Sequence, residues 1–292
     1  MTATPARDRL RRLDPGGVAE VIALLESDFG RSPPGSTLGT LVHQYLLDAL
    51  DRGERDRFFV WPAGRPEGLL FAGPTGTLVP AGHPEAGEPL AEAGERLGWR
   101  VLVGDAAIGG ALIEASSRSL FRRRINAREQ RFMAVEAGAP ALGAAPQDPA
   151  GLRPARRSDL EVLVDFACRL HVEDQMGPPI PRSARSSVRA RMVDSIARGA
   201  TYVVECNGRP VAKADLSLRS AQRGGQIAGV YVDASVRGRG IASSLVAAVI
   251  RLLLAEGLPS VSLHVRSDNG PAIAAYSRAG LSDRAAWVLA LR

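Results

Sequence analysis

The sequence RGRGIA, residues 237–242, carries the most structural information in this chain of 292 residues. It lies between an apolar strand pattern, 226–232, and a segment with apolar residues at helical spacing, 242–256. Glycine lets a backbone N–H approach a phosphate closely, and a helix start adds unpartnered N–H groups and a partial positive charge. This order of strand, glycine loop and helix predicts a phosphate-binding site, to which Arg237 and Arg239 add positive charge.

Two other kinds of phosphate loop are excluded by the residues themselves. A Walker A motif needs Gly-Lys-Ser/Thr, and the only lysine of the chain, Lys213, lies far upstream. A dinucleotide-binding fingerprint needs a third glycine or alanine where Ser243 stands, and its glycines follow the strand directly, whereas 233–236 intervene here. The loop therefore belongs to neither class.

A second motif follows a predicted strand over 261–265. It begins at Asn269 and continues through Tyr276 to Gly280-Leu281. Together the two motifs resemble the GNAT acyltransferase family, whose loop reads Gln/Arg-x-x-Gly-x-Gly/Ala and whose downstream helix carries Asn, Ala, Tyr and Gly-Phe at these spacings. Leu281 replaces the usual Phe. The resemblance covers residues 151–292.

The resemblance implies an α/β fold, with a mostly antiparallel mixed sheet flanked by helices. It also implies acetyl-CoA as cosubstrate, with the backbone of the strand ending at Val232 paired to the pantetheine amides. Gly229 marks an expected bulge in that strand. The residues expected to bind acetyl-CoA are Val230, Tyr231, Val232, Arg237, Gly238, Arg239, Gly240, Ile241, Ala242, Ser243 and Asn269.

The resemblance further implies transfer of an acetyl group to a primary amine, with Tyr276 as the general acid that protonates the leaving thiolate. Glu173 is the candidate base, because it lies on the segment that borders the acceptor pocket in the family. Asp174, His171 and Asp215 are further candidates, and Lys213 and Asp215 alternate along one strand so that both can face one side. His264 is predicted to be a core histidine.

The acceptor stays open among small metabolites, amino sugars, peptide N-termini and protein lysines. The alternative function is a non-catalytic module that binds or senses an acyl-CoA. The residues do not exclude a homodimer, since a strand at the C-terminus can join subunits.

The Ala-, Pro- and Gly-rich stretch 137–150 predicts a linker between domains 1–136 and 151–292. Both halves begin with a short strand pattern followed by an amphipathic helix pattern. The first half has no Arg-x-x-Gly-x-Ala loop, and Glu85 and Glu88 at a helix start would repel a diphosphate. We expect a diverged GNAT-like domain there without a cofactor loop; an unrelated α/β domain is the alternative.

Composition excludes several classes of protein. Hydrophobic residues at 45% and charged residues at 23% are typical of a folded chain. Two cysteines and histidines without ligand spacing predict no disulfide framework and no metal site. No apolar run long enough for a membrane span and no signal sequence are seen, which favours the cytoplasm. The arginine run over 118–131 has almost no interleaved aromatic residues, which disfavours a nucleic-acid partner.

Overall fold

The computed structural model describes residues 10–33, 35–62, 65–118 and 125–292. The chain forms two compact units. The first takes in the described residues up to Phe132 together with Arg284–Arg292, and the second is Met133–Asp283. These two units are defined by contacts and differ from the predicted domain limits, 1–136 and 151–292 with a linker at 137–150. Those limits remain a prediction.

The elements of the first part of the chain are β1 (Arg11–Arg12), α1 (Val18–Glu26), α2 (Leu38–Val42), α3 (Gln44–Asp51), β2 (Phe58–Trp61), β3 (Gly68–Ala72), β4 (Thr77–Gly82), α4 (Gly87–Leu97), β5 (Val101–Asp105), α5 (Ala106–Ser117) and β6 (Asn126–Glu136). Those that follow are β7 (Leu152–Pro154), α6 (Leu160–Glu173), α7 (Arg185–Ala197), β8 (Thr201–Cys206), β9 (Arg209–Ser220), β10 (Gly224–Val232), α8 (Ile241–Ala255), β11 (Ser260–Arg266), α9 (Gly270–Arg278) and β12 (Ser282–Leu291).

The sheet of the first unit runs in the order β1-β2-β3-β4-β5-β12. Its neighbours are antiparallel except β4 and β5, which are parallel. The strand beside β5 is the C-terminal strand of the chain, with Leu289 opposite Val103. The last nine residues therefore complete the sheet of the first unit.

The sheet of the second unit runs β6-β11-β10-β9-β8-β7 and also contains a parallel pair, β10 with β11. The strands from β7 to β10 are antiparallel to their neighbours. Both units thus have an antiparallel meander that ends in one parallel pair joined by a helix. This common order agrees with the expected mixed sheet flanked by helices and with a GNAT-like first half.

Local sequence explains most elements of the second unit. Asn207 and Gly208 both take positive φ, at 51° and 75°, which forms the tight turn expected between β8 and β9. Helix α8 buries its apolar stripe, including Leu245, Val249 and Leu253, against the sheet. It ends before Gly257, which takes a positive φ of 90°.

The segment 137–150 packs onto the second unit. It contains a 3-10 turn, Pro140–Ala144, and Ala139, Leu142 and Ala145 contact the apolar core there. The guanidinium of Arg251 donates to the carbonyl of Pro146 at 2.8 Å. The Ala- and Pro-rich composition indicated a connection without strand or helix period, but it carried no sign of these contacts.

Candidate active site

The loop between β10 and α8 has the backbone that its glycines suggest. Gly238 and Gly240 have φ angles of 76° and 78°, and a Cβ at Gly238 would meet no atom within 4 Å. The preceding turn is held by Asp233, whose carboxylate accepts from the backbone N–H of Ser235 at 3.0 Å. The glycines are therefore needed for their positive φ, and the surface at Gly238 is open to a ligand.

Helix α8 begins with N–H groups that have no acceptor. Within the described part of the chain, no hydrogen bond engages the N–H of Gly240, Ile241 or Ala242. The Ser243 hydroxyl, expected to be a phosphate donor, is buried and donates to the carbonyl of Gly240 at 2.8 Å. The helix start can thus receive an anion through its backbone, while the Ser243 hydroxyl stabilises the loop.

Arg237 joins the loop to helix α6. Its Nη2 donates to both oxygens of Glu173 at 2.9 Å, and its Nε donates to the carbonyl of Val232 at 2.9 Å. The guanidinium also lies 5.3 Å from the ring centre of Tyr231. The hydrogen bond to Glu173 raises the pKa of Arg237. Glu173, expected as the base, is therefore held at the loop between β10 and α8. Arg239 lies exposed in the same loop.

Strand β10 contains the expected bulge at Gly229. The register with β9 passes from Ala228 opposite Asp215 to Tyr231 opposite Lys213, which leaves one extra residue in β10. Pairs with β11 run from Gly225 to Ile227. Among these described residues no pair with β11 follows, so the backbone of 228–232 is not paired on that side and can bind an extended ligand.

Lys213 and Asp215 lie on the same side of β9, as the alternation predicted, and form a buried ion pair. The ammonium also donates to the carbonyl of Gly229 at 2.8 Å. Asp215 accepts from the hydroxyl of Thr201 at 2.9 Å, which contacts the hydroxyl of Ser195 at 2.8 Å. A polar network therefore connects α7, β8 and β9 to the bulge of β10.

Tyr276 is 8% exposed and belongs to the apolar core that Val230 and Val232 also contact. Burial raises the pKa of its phenol, and the Asp174 carboxylate raises it further. The phenol is therefore protonated at neutral pH, which a general acid requires. Asn269 caps α9, with its Oδ1 accepting from the N–H of Ala272 at 3.2 Å. That contact shows how Asn269 orders the loop before α9.

The C-terminal end of α6 borders a cleft of about 320 Å³, lined by Asp165, Cys168, Arg169, Val172, Glu173, Pro179, Ile180 and Arg185. Arg266 at the end of β11 donates to the carbonyl of Glu173 at 2.9 Å. Arg266 was not among the residues expected at the site; its position directly after the predicted apolar strand, two residues before Asp268, was the available signal. Arg266 thus anchors the end of α6 near the strand opening.

His264 lies in β11, one residue beyond the last pair with β10. Burial lowers the pKa of His264 to about 4, so the imidazole is neutral at physiological pH. His171 contacts the loop that follows α6, where a Cβ on Gly177 would lie 3.1 Å from its Nε2.

Among the described residues, no cluster of His, Cys, Asp and Glu side chains could hold a metal ion. In the same ranges no helix has both the length and the apolarity of a membrane span. In the arginine run, Arg122, Arg123 and Arg124 lie outside the described residues, and Arg118 pairs with Glu114.

Comparison with known proteins agrees with this geometry. Residues 168–281 match the model of the Acetyltransferase (GNAT) family. A stretch of 65 residues is 49% identical to a mycothiol acetyltransferase of Clavibacter michiganensis subsp. michiganensis (strain NCPPB 382), and it spans 21% of this chain and 21% of that protein. The comparison with this relative thus concerns only about a fifth of its length.

Two solved structures share the fold over nearly the whole chain. A GCN5-related N-acetyltransferase from Sphaerobacter thermophilus has a TM-score of 0.62 and 20% identity, covering 99% of this chain and 96% of its own. A tandem GNAT protein from the clavulanic acid biosynthesis pathway has a TM-score of 0.52 and 14% identity, covering 97% and 98%. The motifs, the fold and the family match agree, and residues 168–281 of this chain are similar to the GNAT acetyltransferase family.

Proposed function

We propose that this protein is an N-acetyltransferase that moves an acetyl group from acetyl-CoA to a primary amine. The observation that carries the proposal is the start of α8. Two glycines with positive φ lie there together with N–H groups that have no acceptor among the described residues, and Arg237 and Arg239 belong to the same loop. This combination of donors and charge suits the diphosphate of coenzyme A.

The unpaired stretch of β10 supports binding of the pantetheine arm. Val230, Tyr231 and Val232 follow the bulge and lie beyond the last pair with β11. An extended amide chain can add to such a backbone edge as a strand does. A backbone N–H at Val230 or Tyr231 would then stabilise the oxyanion of the tetrahedral intermediate, a contribution of about 3 kcal/mol.

In the proposed reaction, the neutral amine nitrogen attacks the thioester carbonyl carbon. A C–N bond forms, the C–S bond breaks, and the electron pair leaves with sulfur. Tyr276 donates its phenolic proton to the thiolate, and Glu173 accepts the proton that the amine loses, directly or through water. The raised pKa of Tyr276 keeps the proton on the phenol until the thiolate forms.

The cleft beside α6 is the proposed acceptor site, because Glu173 contributes both to it and to the phosphate loop. The first unit has a different helix start after β4, where Glu85 precedes α4 and Glu88 lies in its first turn. These acids would oppose a diphosphate, so we assign acetyl-CoA to the second unit.

Calorimetry with acetyl-CoA and a coenzyme A release assay test the proposal. The assay uses a panel of amino acids, amino sugars, peptide N-termini, lysine peptides and the acceptor of the mycothiol acetyltransferase. Saturable acetyl-CoA binding with turnover of at least one amine is expected. Binding without turnover of any amine would favour the alternative, an acyl-CoA-binding module. No binding at millimolar acetyl-CoA would overturn both.

A further inference from the structure

Lys213 is the only lysine among 37 basic residues, and its side chain is 1% exposed. Burial of an ammonium is costly unless the group is paired and hydrogen-bonded. Arginine occupies the other 36 positions. The two groups differ in shape, because a guanidinium is planar and forked and an ammonium is a compact point charge. The residue type therefore fits a narrow position between β9 and β10.

The contacts of Lys213 are directed at one backbone group. Its ammonium donates to the Gly229 carbonyl at 2.8 Å and pairs with Asp215. The other oxygen of Asp215 accepts from Thr201, and Thr201 contacts Ser195 of α7. The chain of hydrogen bonds thus runs from α7 through β8 and β9 to the bulge of β10.

The bulge and the ion pair occupy the same space. Gly229 has a φ of 56°, and a Cβ there would lie 2.5 Å from Asp215 Oδ2 and 3.0 Å from Lys213 Nζ. The ion pair therefore leaves no room for a side chain at position 229, while the carbonyl of Gly229 accepts from the ammonium. The conformation of the bulge and the position of the pair depend on each other.

We propose that Lys213 and Asp215 are positioning residues, which hold the Gly229 bulge so that 230–232 present their backbone to the acyl-pantetheine arm. This inference rests on the proposed function. It predicts that the pair affects how the pantetheine and thioester end of acetyl-CoA is bound and positioned. The diphosphate end depends on α8 and its loop, which the network does not include.

The test removes both charges while keeping side-chain size, with the double variant Lys213→Met, Asp215→Asn. Replacing both partners avoids an unpaired buried charge. The matched control is Arg198→Met, Asp194→Asn, an exposed ion pair of the same unit. Each protein is titrated with acetyl-CoA and with 3′-phosphoadenosine 5′-diphosphate, which keeps the diphosphate and has no pantetheine arm. Thermal unfolding and the amine-dependent kcat are measured in parallel.

The expected result is a kcat about 100-fold lower in the double variant, as for a misplaced reacting group. Acetyl-CoA affinity should fall about tenfold, as for loss of a hydrogen bond to a charged group. Affinity for 3′-phosphoadenosine 5′-diphosphate and the unfolding midpoint should match those of the wild type and of the control variant.

Wild-type kcat and acetyl-CoA affinity in the double variant would overturn the inference and leave the proposed function intact. Equal loss of both ligands with a lowered unfolding midpoint would indicate a purely structural pair and would also overturn it. A wild type that binds neither ligand would refute the proposed function itself. If the double variant does not fold, Thr201→Val replaces it, with an expected fivefold loss of kcat, about that of one hydrogen bond; unchanged kcat would again overturn the inference.

Discussion

At the scale of single residues, the proposed acid and base occupy opposite environments. Tyr276 is buried, and desolvation raises its pKa, so its proton is retained. Glu173 is about half exposed and bonded to Arg237. A buried acid and a solvent-accessible carboxylate can exchange protons with different partners.

Replacing Tyr276 with Phe tests the acid. The variant keeps the ring in the apolar core and removes only the hydroxyl. We expect kcat to fall about 100-fold, the lower end of the range for a positioned acid, with acetyl-CoA affinity unchanged. Stopped-flow release of coenzyme A measures the former and calorimetry the latter. Wild-type turnover in this variant would remove Tyr276 from proton transfer.

Glu173→Gln tests the base, with Asp174→Asn as the matched neighbour. We expect the Gln variant to lose about 100-fold in kcat. Its acetyl-CoA affinity should fall only about threefold, since the ion pair with Arg237 is exposed. A change in affinity alone would make Glu173 a positioning residue for Arg237. The same kcat loss in Asp174→Asn but not in Glu173→Gln would assign the base to Asp174.

At the scale of elements, helices α4 and α8 begin differently although both follow a strand that enters a parallel pair. Helix α8 begins after Gly240 without an acidic residue in its first turn, whereas α4 carries Glu88 there. An acid at a helix start stabilises the helix but repels an anionic ligand. The two helix starts therefore differ in the charge of ligand that they favour.

The substitution Ser244→Glu places an acidic residue in the first turn of α8, as Glu88 is in α4. We expect acetyl-CoA affinity to fall about tenfold, because a carboxylate in the first turn opposes the diphosphate. The control is Leu252→Glu, at an exposed position near the other end of α8, 40% accessible in the wild type. Calorimetry compares the two variants. Equal affinities would show that the diphosphate is not held at the start of α8.

At the scale of the whole molecule, each unit has its own apolar core and the same order of strands around a parallel pair. Stability at moderately acidic pH is expected to depend on a buried group of the second unit, His264. In the folded chain its pKa is lowered to about 4 from 6.5, because burial disfavours the charged imidazole.

Between these two pKa values the unfolded chain binds the extra proton. The free energy of unfolding should therefore decrease as pH falls from 6.5 to 4, by about 3 kcal/mol for this group alone. Urea unfolding at several pH values measures the slope. His264→Gln should flatten it, and an unaltered slope in that variant would contradict the assignment.

Much of the site could be predicted because its parts are local. The glycine loop, the start of α8, the bulge at Gly229 and the cap at Asn269 each follow from residues a few positions apart. The packing of 137–150 onto a core could not, because its composition indicates only the lack of regular structure.

The sequence by itself determined the order of elements, the conformation of the glycine loop before α8 and the position of Tyr276 on its helix, since hydrophobic period and glycine conformation act over short distances along the chain. Only the tertiary structure decided the partners of the charged side chains. Glu173 meets Arg237 across 64 residues, Arg266 meets the end of α6 across 93, and Lys213 meets the carbonyl of Gly229. Such partners depend on how strands and helices pack, and no local pattern specifies which charges that packing brings together.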